Sequence, residues 1–298
     1  MRTIVRLMRE VREPSGNGPG NGQYALQKAL CARAPEWFRI GGVLQRQELP
    51  WWWCWKDRDA AVQCARENRP FVIGPNILFE DAKGPSIASE RDLCQAASCV
   101  LQYTESIWYR DLIARHCTFP NRAPIVIWPY SIDPQPGEPL PAKYDLLIYV
   151  KSTRHERLVN WLLARYPRSV LFRYGSFGRE ALSVAARQSR ACLYLSDSDR
   201  GPLGLAEILL AGCPAVGIAH GAPWIIDGQN GYQVPHFGCQ ALSTAIGRSQ
   251  ALDRQAVRAV ALRQFDTRQI ADTIFSSLQE AVGRIRRWGI RRLRTIRS

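Results

Sequence analysis

The chain has 298 residues, 46% of them apolar and 22% charged. This excludes a disordered chain, a collagen-like chain and a disulfide-stapled miniprotein, and at ~100–200 residues per domain it predicts two domains. Formal net charge is +14, carried by 35 arginines and 5 lysines against 26 acids. Seven of the arginines fall between residues 284 and 297 with no acid among them. The rest of the chain is only mildly basic, and no helix-turn-helix or RNP-like pattern accompanies the charge, so no nucleic-acid partner is expected.

Nine cysteines (Cys31, Cys54, Cys64, Cys94, Cys99, Cys117, Cys192, Cys213 and Cys239) stand singly, and His116, His155, His220 and His236 complete no zinc-ligand spacing. They predict buried, reduced thiols in a cytoplasmic protein with no bound metal. The first residues carry Arg2, Arg6, Arg9 and Glu10 and no apolar signal region. The 19 residues between Glu207 and Asp227 are uncharged with His220 neutral. Gly212, Pro214, Gly217, Gly221 and Pro223 punctuate them, which suits passage through a core rather than a membrane span.

In chain order, Thr3–Met8 reads as a first strand, followed by a glycine-rich loop over residues 16–22 and a helix from Gln23 to Arg33. Phe38–Ile40, Phe71–Gly74, Ser98–Gln102 and Ile125–Trp128 read as strands, and Trp108–Arg115 has helical spacing. Five prolines between residues 129 and 142 mark a hinge. Beyond it the alternation is cleaner: strand Leu146–Val150, helix Arg157–Tyr166, strand Val170–Tyr174, helix Arg179–Arg190, strand Ala191–Leu195, helix Leu203–Ala211, strand Ala215–Ile218, then two or three helices from Gln240. Repeated β-α-β units predict parallel sheets. The expected architecture is α/β, two Rossmann-like domains facing each other across a cleft: residues 1–130, a hinge at 131–143, a second domain at 144–280 and a basic tail at 281–298. The ligand is expected in the cleft, at the carboxyl ends of strands.

The segment from Ser196 to Pro235 carries the most chemistry. The loop Arg200-Gly201-Pro202-Leu203-Gly204 presents backbone N–H groups at a helix N-terminus, a geometry that binds anions. Glu207 lies one turn inside that helix, where a carboxylate can accept two hydrogen bonds from a vicinal diol such as a ribose. Amides for phosphate beside a carboxylate for ribose describe a nucleotide-diphosphate ligand.

On these residues the chain resembles a known family. Asp199-x7-Glu207 followed by Ala-Gly-Cys-Pro is similar to the E-x7-E motif and small-residue turn of retaining GT-B glycosyltransferases of the glycogen-synthase-like clan (glycosyltransferase family 4-like, group 1). Ile226–Pro235 resembles that family's DG-x-NG-x-L-V-P stretch. Phe265-Asp266 resembles its C-terminal signature, and Pro129–Asp133 its inter-domain PNGVD. The resemblance implies a glycosyltransferase, hexosyltransferase-like, that moves a sugar from a nucleotide-diphosphate donor to a glycan or lipid-linked acceptor, with retention and without metal or other cofactor. It implies that Asp199 and Glu207 act in catalysis, at the transferred sugar and the ribose. The backbone of Gly201, Pro202, Leu203 and Gly204 would hold sugar and diphosphate. Lys151 and Arg154 would neutralise the departing diphosphate. Tyr174 and Gly175 would pack the base, and Gly20 and Asn21 would line the first domain's glycine loop.

Three features lie outside that pattern. Trp51-Trp52-Trp53-Cys54-Trp55 cannot direct three consecutive indoles into one core from one strand. Two are expected inside and the rest on the surface, with a sugar-stacking acceptor platform or membrane anchor as the sharper alternative. Residues 284–297 read as a frayed terminus or a basic amphipathic helix suited to an anionic membrane surface, which places the protein peripherally on the inner face of the membrane. His220 follows a strand near the expected cleft. A catalytically inactive nucleotide-sugar or glycan-binding module on the same fold is the alternative function, motivated by aspartate at 199 and by the lack of a histidine after Phe71–Gly74.

Overall fold

The computed structural model describes the chain except residues 1–2, 14–17, 54–56, 76–92, 94–95, 108–109, 112–122, 128–131, 133–135, 152, 200 and 296–298. The chain divides into two units, Ile132–Asp266 and a first unit made of Met1–Ser131 together with Thr267–Ser298.

The first unit is built on a six-stranded sheet: β1 (Val5–Leu7), β2 (Phe38–Ile40), β3 (Leu49–Trp52), β4 (Phe71–Ile73), β5 (Cys99–Thr104) and β6 (Ile125–Ile127), in the order β2-β1-β3-β4-β5-β6 and parallel throughout. A parallel sheet is covered on both faces, and this explains β3. Trp51 and Trp53 enter one apolar cluster with Val5, Phe38 and Tyr103, while Trp52 enters a second with Ala61, Cys64 and Phe71. All three indoles are buried, at 0%, 9% and 1% exposure. None of these three indoles is on the surface, where an acceptor platform or membrane anchor would need it; the sheet provides a core on each face. Cys54 and Trp55 lie outside the described residues.

Helix α1 (Gly18–Arg33) begins within the expected glycine loop, so Gly20 and Asn21 are helical and not loop residues. Helix α2 (Arg58–Arg66) packs Ala61 and Cys64 inward; its short polar-rich sequence gave no helical expectation. The expected helix at Trp108–Arg115 and the segment Pro129–Ser131 fall wholly or largely outside the described residues.

In the second unit, β7 (Leu146–Val150), β8 (Ser169–Arg173), β9 (Cys192–Leu195), β10 (Ala215–Gly217) and β11 (Gly231–Gln233) form a parallel sheet in the order β11-β10-β9-β7-β8. The central strands β7 and β9 are buried along their whole length, as their unbroken apolar runs require. Helices α3 (Glu156–Arg165) and α4 (Arg179–Arg187) each turn one apolar stripe inward, Val159 and Leu162 on the first, Leu182, Ala185 and Ala186 on the second. Helix α5 (Leu203–Leu210) is apolar on every side and buried from Leu205 onward, with Glu207 its one charge. It stops at Gly212, whose φ of +74° and packing against Pro139 and the Arg254 carbonyl leave no space for a Cβ. The uncharged stretch expected to cross a core does so: it supplies the end of α5, β10 and the turn toward β11.

Helices α6 (Cys239–Gln250) and α7 (Arg254–Gln264) complete the second unit, and α8 (Thr267–Thr295) belongs to the first. Residues 267–280 were expected with the second domain. Instead Ile270, Ala271, Ile274, Phe275, Leu278 and Ala281 recur at helical spacing and join the cluster of Trp51, Phe38 and Tyr103. Tyr103 Oη lies 2.7 Å from Ser277 Oγ and Arg33 Nη2 lies 2.7 Å from Asp272 Oδ1, both within the first unit. Among the described residues no helix is long and apolar enough to cross a membrane.

Candidate functional site

The carboxyl ends of β7, β8 and β9 bring together most of the residues expected at a donor site. Lys151 follows β7, Tyr174 follows β8, and Asp199 lies on the loop after β9. Lys151 Nζ is 2.5 Å from Asp199 Oδ2 and 4.9 Å from the centroid of the Tyr174 ring. Asp199 Oδ2 also accepts from Tyr194 Oη at 2.9 Å, and the Asp199 N–H donates to the His220 carbonyl at 2.8 Å. A carboxylate only 8% exposed needs such partners to offset the cost of its burial. Lys151, expected at a diphosphate, thus commits one of its three donors to Asp199. His220 contributes its backbone to the same loop while its side chain is exposed.

Arg154 sits exposed in the 3-10 turn Thr153–His155. His155 of that turn has its Nε2 2.9 Å from Asp197 Oδ1 and stands edge-on to Phe237, ring centroids 5.0 Å apart. Asp197 and Asp199, two residues apart in sequence, therefore serve different partners. Among the described residues no group of three or more His, Cys, Asp or Glu could hold a metal ion. Six cysteines are described as free thiols, of which Cys64, Cys99, Cys192 and Cys213 are buried as expected and Cys31 and Cys239 are exposed.

Glu207 is 8% exposed and is paired with the guanidinium of Arg179, the first residue of α4. Burial raises the Glu207 carboxyl above the usual carboxylate range, and Arg179 pulls it part of the way back. In the loop ahead of α5, the Leu203 N–H donates to the Gly201 carbonyl at 2.9 Å, and Leu205 and Ala206 donate to Pro202 at 2.8 and 3.1 Å. The Leu203 amide, expected to face a ligand, is thus satisfied inside the loop. Gly204 lies against Tyr149: a Cβ there would stand 3.0 Å from the tyrosine oxygen. Tyr174 is 62% exposed and Gly175 turns the chain with φ of +84°.

Lys151, Tyr174, Gly175, Asp199, Gly201, Pro202, Leu203, Gly204 and Glu207 all belong to the second unit, whereas Gly20 and Asn21 belong to the first. Sequence reasoning missed Arg179 and Tyr149. Arg179 had one usable signal, its place at a helix start preceded by Gly178 and the Tyr174–Phe177 turn. Tyr149 had none, because a tyrosine in an apolar run reads as core.

No protein-family model matches the chain, and no curated protein matches it in sequence. Solved structures do match its backbone. HepE of Anabaena in complex with UDP-glucose matches with a TM-score of 0.60 at 12% identity, covering 93% of this chain and 99% of that one. Sucrose-phosphate synthase of Thermosynechococcus elongatus gives 0.59 at 14%, covering 97% and 99%. AviGT4, a glycosyltransferase involved in avilamycin A biosynthesis, gives 0.54 at 13%, covering 95% and 98%. The fold is GT-B. Both sheets that the GT-B architecture requires are present and parallel, and the cluster around Asp199 and Glu207 lies wholly on the second.

Proposed function

We propose that the chain is a glycosyltransferase that transfers a sugar from a nucleotide-diphosphate donor to a glycan or lipid-linked acceptor, with retention and without a divalent metal. The observation that carries this is Glu207: a carboxylate one turn inside a helix, nearly buried, held ionisable by Arg179 and opening at the carboxyl end of a parallel sheet. Such a group suits two hydroxyls of a ribose better than a structural role, since the helix that bears it is otherwise apolar. The backbone likeness to a structure that holds UDP-glucose supports a nucleotide sugar as the ligand. In this reading Lys151 and Arg179 supply the positive charge beside the departing diphosphate that a metal ion would otherwise supply. Front-face attack on the donor needs no protein nucleophile.

Residues 284–295 form the end of α8, and residues 284–297 carry seven arginines, which suits docking to an anionic membrane where a lipid-linked acceptor would lie.

The test is a thermal-shift screen over nucleoside diphosphates and their sugars, because a ligand that binds only the folded state raises its apparent stability. A matching nucleotide sugar is expected to stabilise the protein, and Glu207→Gln is expected to weaken its binding by on the order of 1.5–3 kcal/mol. Slow release of free sugar from that donor, in excess EDTA, is the expected activity. Binding without release identifies a non-catalytic module, and rescue by Mn²⁺ after EDTA overturns the metal-independent reading.

A further inference from the structure

Two tyrosines lie side by side under the loop that precedes α5. Tyr149 on β7 and Tyr194 on β9 stack with ring centroids 4.8 Å apart and planes 5° apart. Their hydroxyls have different fates. Tyr194 donates to Asp199 Oδ2. Tyr149 Oη makes no hydrogen bond among the described residues, although the residue is only 3% exposed. A tyrosine hydroxyl with no protein partner is available to a ligand or to water. The start of α5 lies on the Tyr149 ring: a Cβ on Gly204 would stand 3.0 Å from the oxygen and 3.2 Å from Cζ. Glycine at 204 therefore lets the start of α5 pack directly on the phenol, where any side chain would crowd it.

The electrostatics around that oxygen are specific. Burial first, then the charge of Asp199, with smaller influences from Tyr174 and Glu207, hold the phenol well above the usual tyrosine range. It stays protonated at any working pH and acts as a donor. Among the described residues, Lys151 is paired with Asp199 and Arg179 with Glu207. A phosphate oxygen placed here would bring negative charge toward two carboxylates and no proton to share with them. A sugar hydroxyl fits: it accepts from Tyr149 and donates its own proton to a carboxylate.

Resting on the nucleotide-sugar reading above, we propose that Tyr149 is a specificity-determining residue whose hydroxyl, together with Asp199, recognises a hydroxyl of the transferred sugar. Asp199 rather than Glu207 is the partner because Tyr194, stacked on Tyr149, donates to it. The assignment to the sugar, and not to phosphate or ribose, makes a discriminating experiment available.

The experiment compares wild-type protein with Tyr149→Phe by titration calorimetry. The probes are UDP-glucose and UDP, or the corresponding glucose and diphosphate pair of whichever base stabilises the wild type most among uridine, guanosine, adenosine and thymidine. Phenylalanine keeps the ring stack, so an unchanged melting temperature is expected. Affinity for the nucleotide sugar is expected to fall about 3- to 10-fold, while affinity for the nucleoside diphosphate stays within about 1.5-fold. Equal affinities of the two proteins for both probes overturn the proposal and leave the nucleotide-sugar reading intact. An equal loss for both probes places the hydroxyl on the nucleotide and also overturns it. A wild-type protein that binds neither probe overturns the nucleotide-sugar reading, and this proposal falls with it.

Discussion

Glu207 binds its proton more tightly in the folded protein than in the unfolded chain, because burial outweighs the attraction of Arg179. Two pH effects of opposite sign follow. Hydrogen bonds from a diol need the ionised carboxylate, so donor affinity falls as pH drops through the raised folded value, earlier than for an ordinary glutamate. Stability behaves the other way: a raised carboxyl favours the folded state at low pH, and that contribution is lost as pH rises from the unfolded value through the folded one. Replacing Arg179 with glutamine removes the influence that lowers the carboxyl. Titration of the best nucleotide sugar at a series of pH values is expected to show the midpoint of affinity loss moving upward in Arg179→Gln. A midpoint that stays in place would show that Arg179 does not set the charge of Glu207.

Asp199 and Glu207 were legible because their spacing, the glycines between them and the turn at Gly212 all lie within one short stretch. Arg179 and Tyr149 were not, because their roles exist only once α4 meets α5 and β7 meets the loop before α5. The position of Lys151 after β7 was legible, but its pairing with Asp199 was not. The lesson is physical: local sequence specifies what a loop can bind, while the partners of a buried charge come from other elements.

At the scale of elements, β7 and β9 were readable since a strand covered on both faces is apolar throughout. Strand β3 was not. Pro50 argues against a strand, and three indoles in a row look too large for one core. The sheet resolves the difficulty by sending Trp51 and Trp53 to one face and Trp52 to the other. The start of α1 was missed because Gly18, Gly20 and Gly22 favour a loop on propensity, and helical backbone prevails over them. Among helices, α7 holds the proline-rich stretch 136–140 through charged side chains. Arg254 donates to the carbonyls of Leu140 at 2.7 Å, Gly212 at 3.3 Å and Arg187. Arg258 donates to Pro136 at 2.8 Å and to Leu210. Burial lowers both guanidinium groups below the usual arginine range, yet they remain charged. Truncating Arg254 to alanine leaves three carbonyls short of a donor, and urea denaturation is expected to show a loss on the order of 2–4 kcal/mol. A loss below about 0.5 kcal/mol would mean that water replaces the guanidinium at no cost.

For the whole molecule, the decisive feature is that α8 serves the first unit at one end and carries the arginines at the other. Two shortened chains separate these roles. Ending the chain after Val282 retains Ile270, Ile274, Phe275 and Leu278 against the first core. That protein is expected to keep its donor affinity and most of its stability while losing co-sedimentation with anionic vesicles at low salt. Ending it after Asp266 removes the cover of Trp51, Phe38 and Tyr103, and is expected to give a protein that binds hydrophobic dyes and loses its cooperative thermal transition. Equal sedimentation of the full chain and the chain ending after Val282 would show that the arginines are not the anchor.

The return of α8 also has a consequence in time. Synthesis runs from residue 1 upward, so every strand of the second unit leaves the ribosome before the helix that closes the first. The unit begun first is finished last. During that interval Phe38, Trp51 and Tyr103 await a partner that has yet to be made, while the sheet bearing Asp199 and Glu207 already has all of its own sequence.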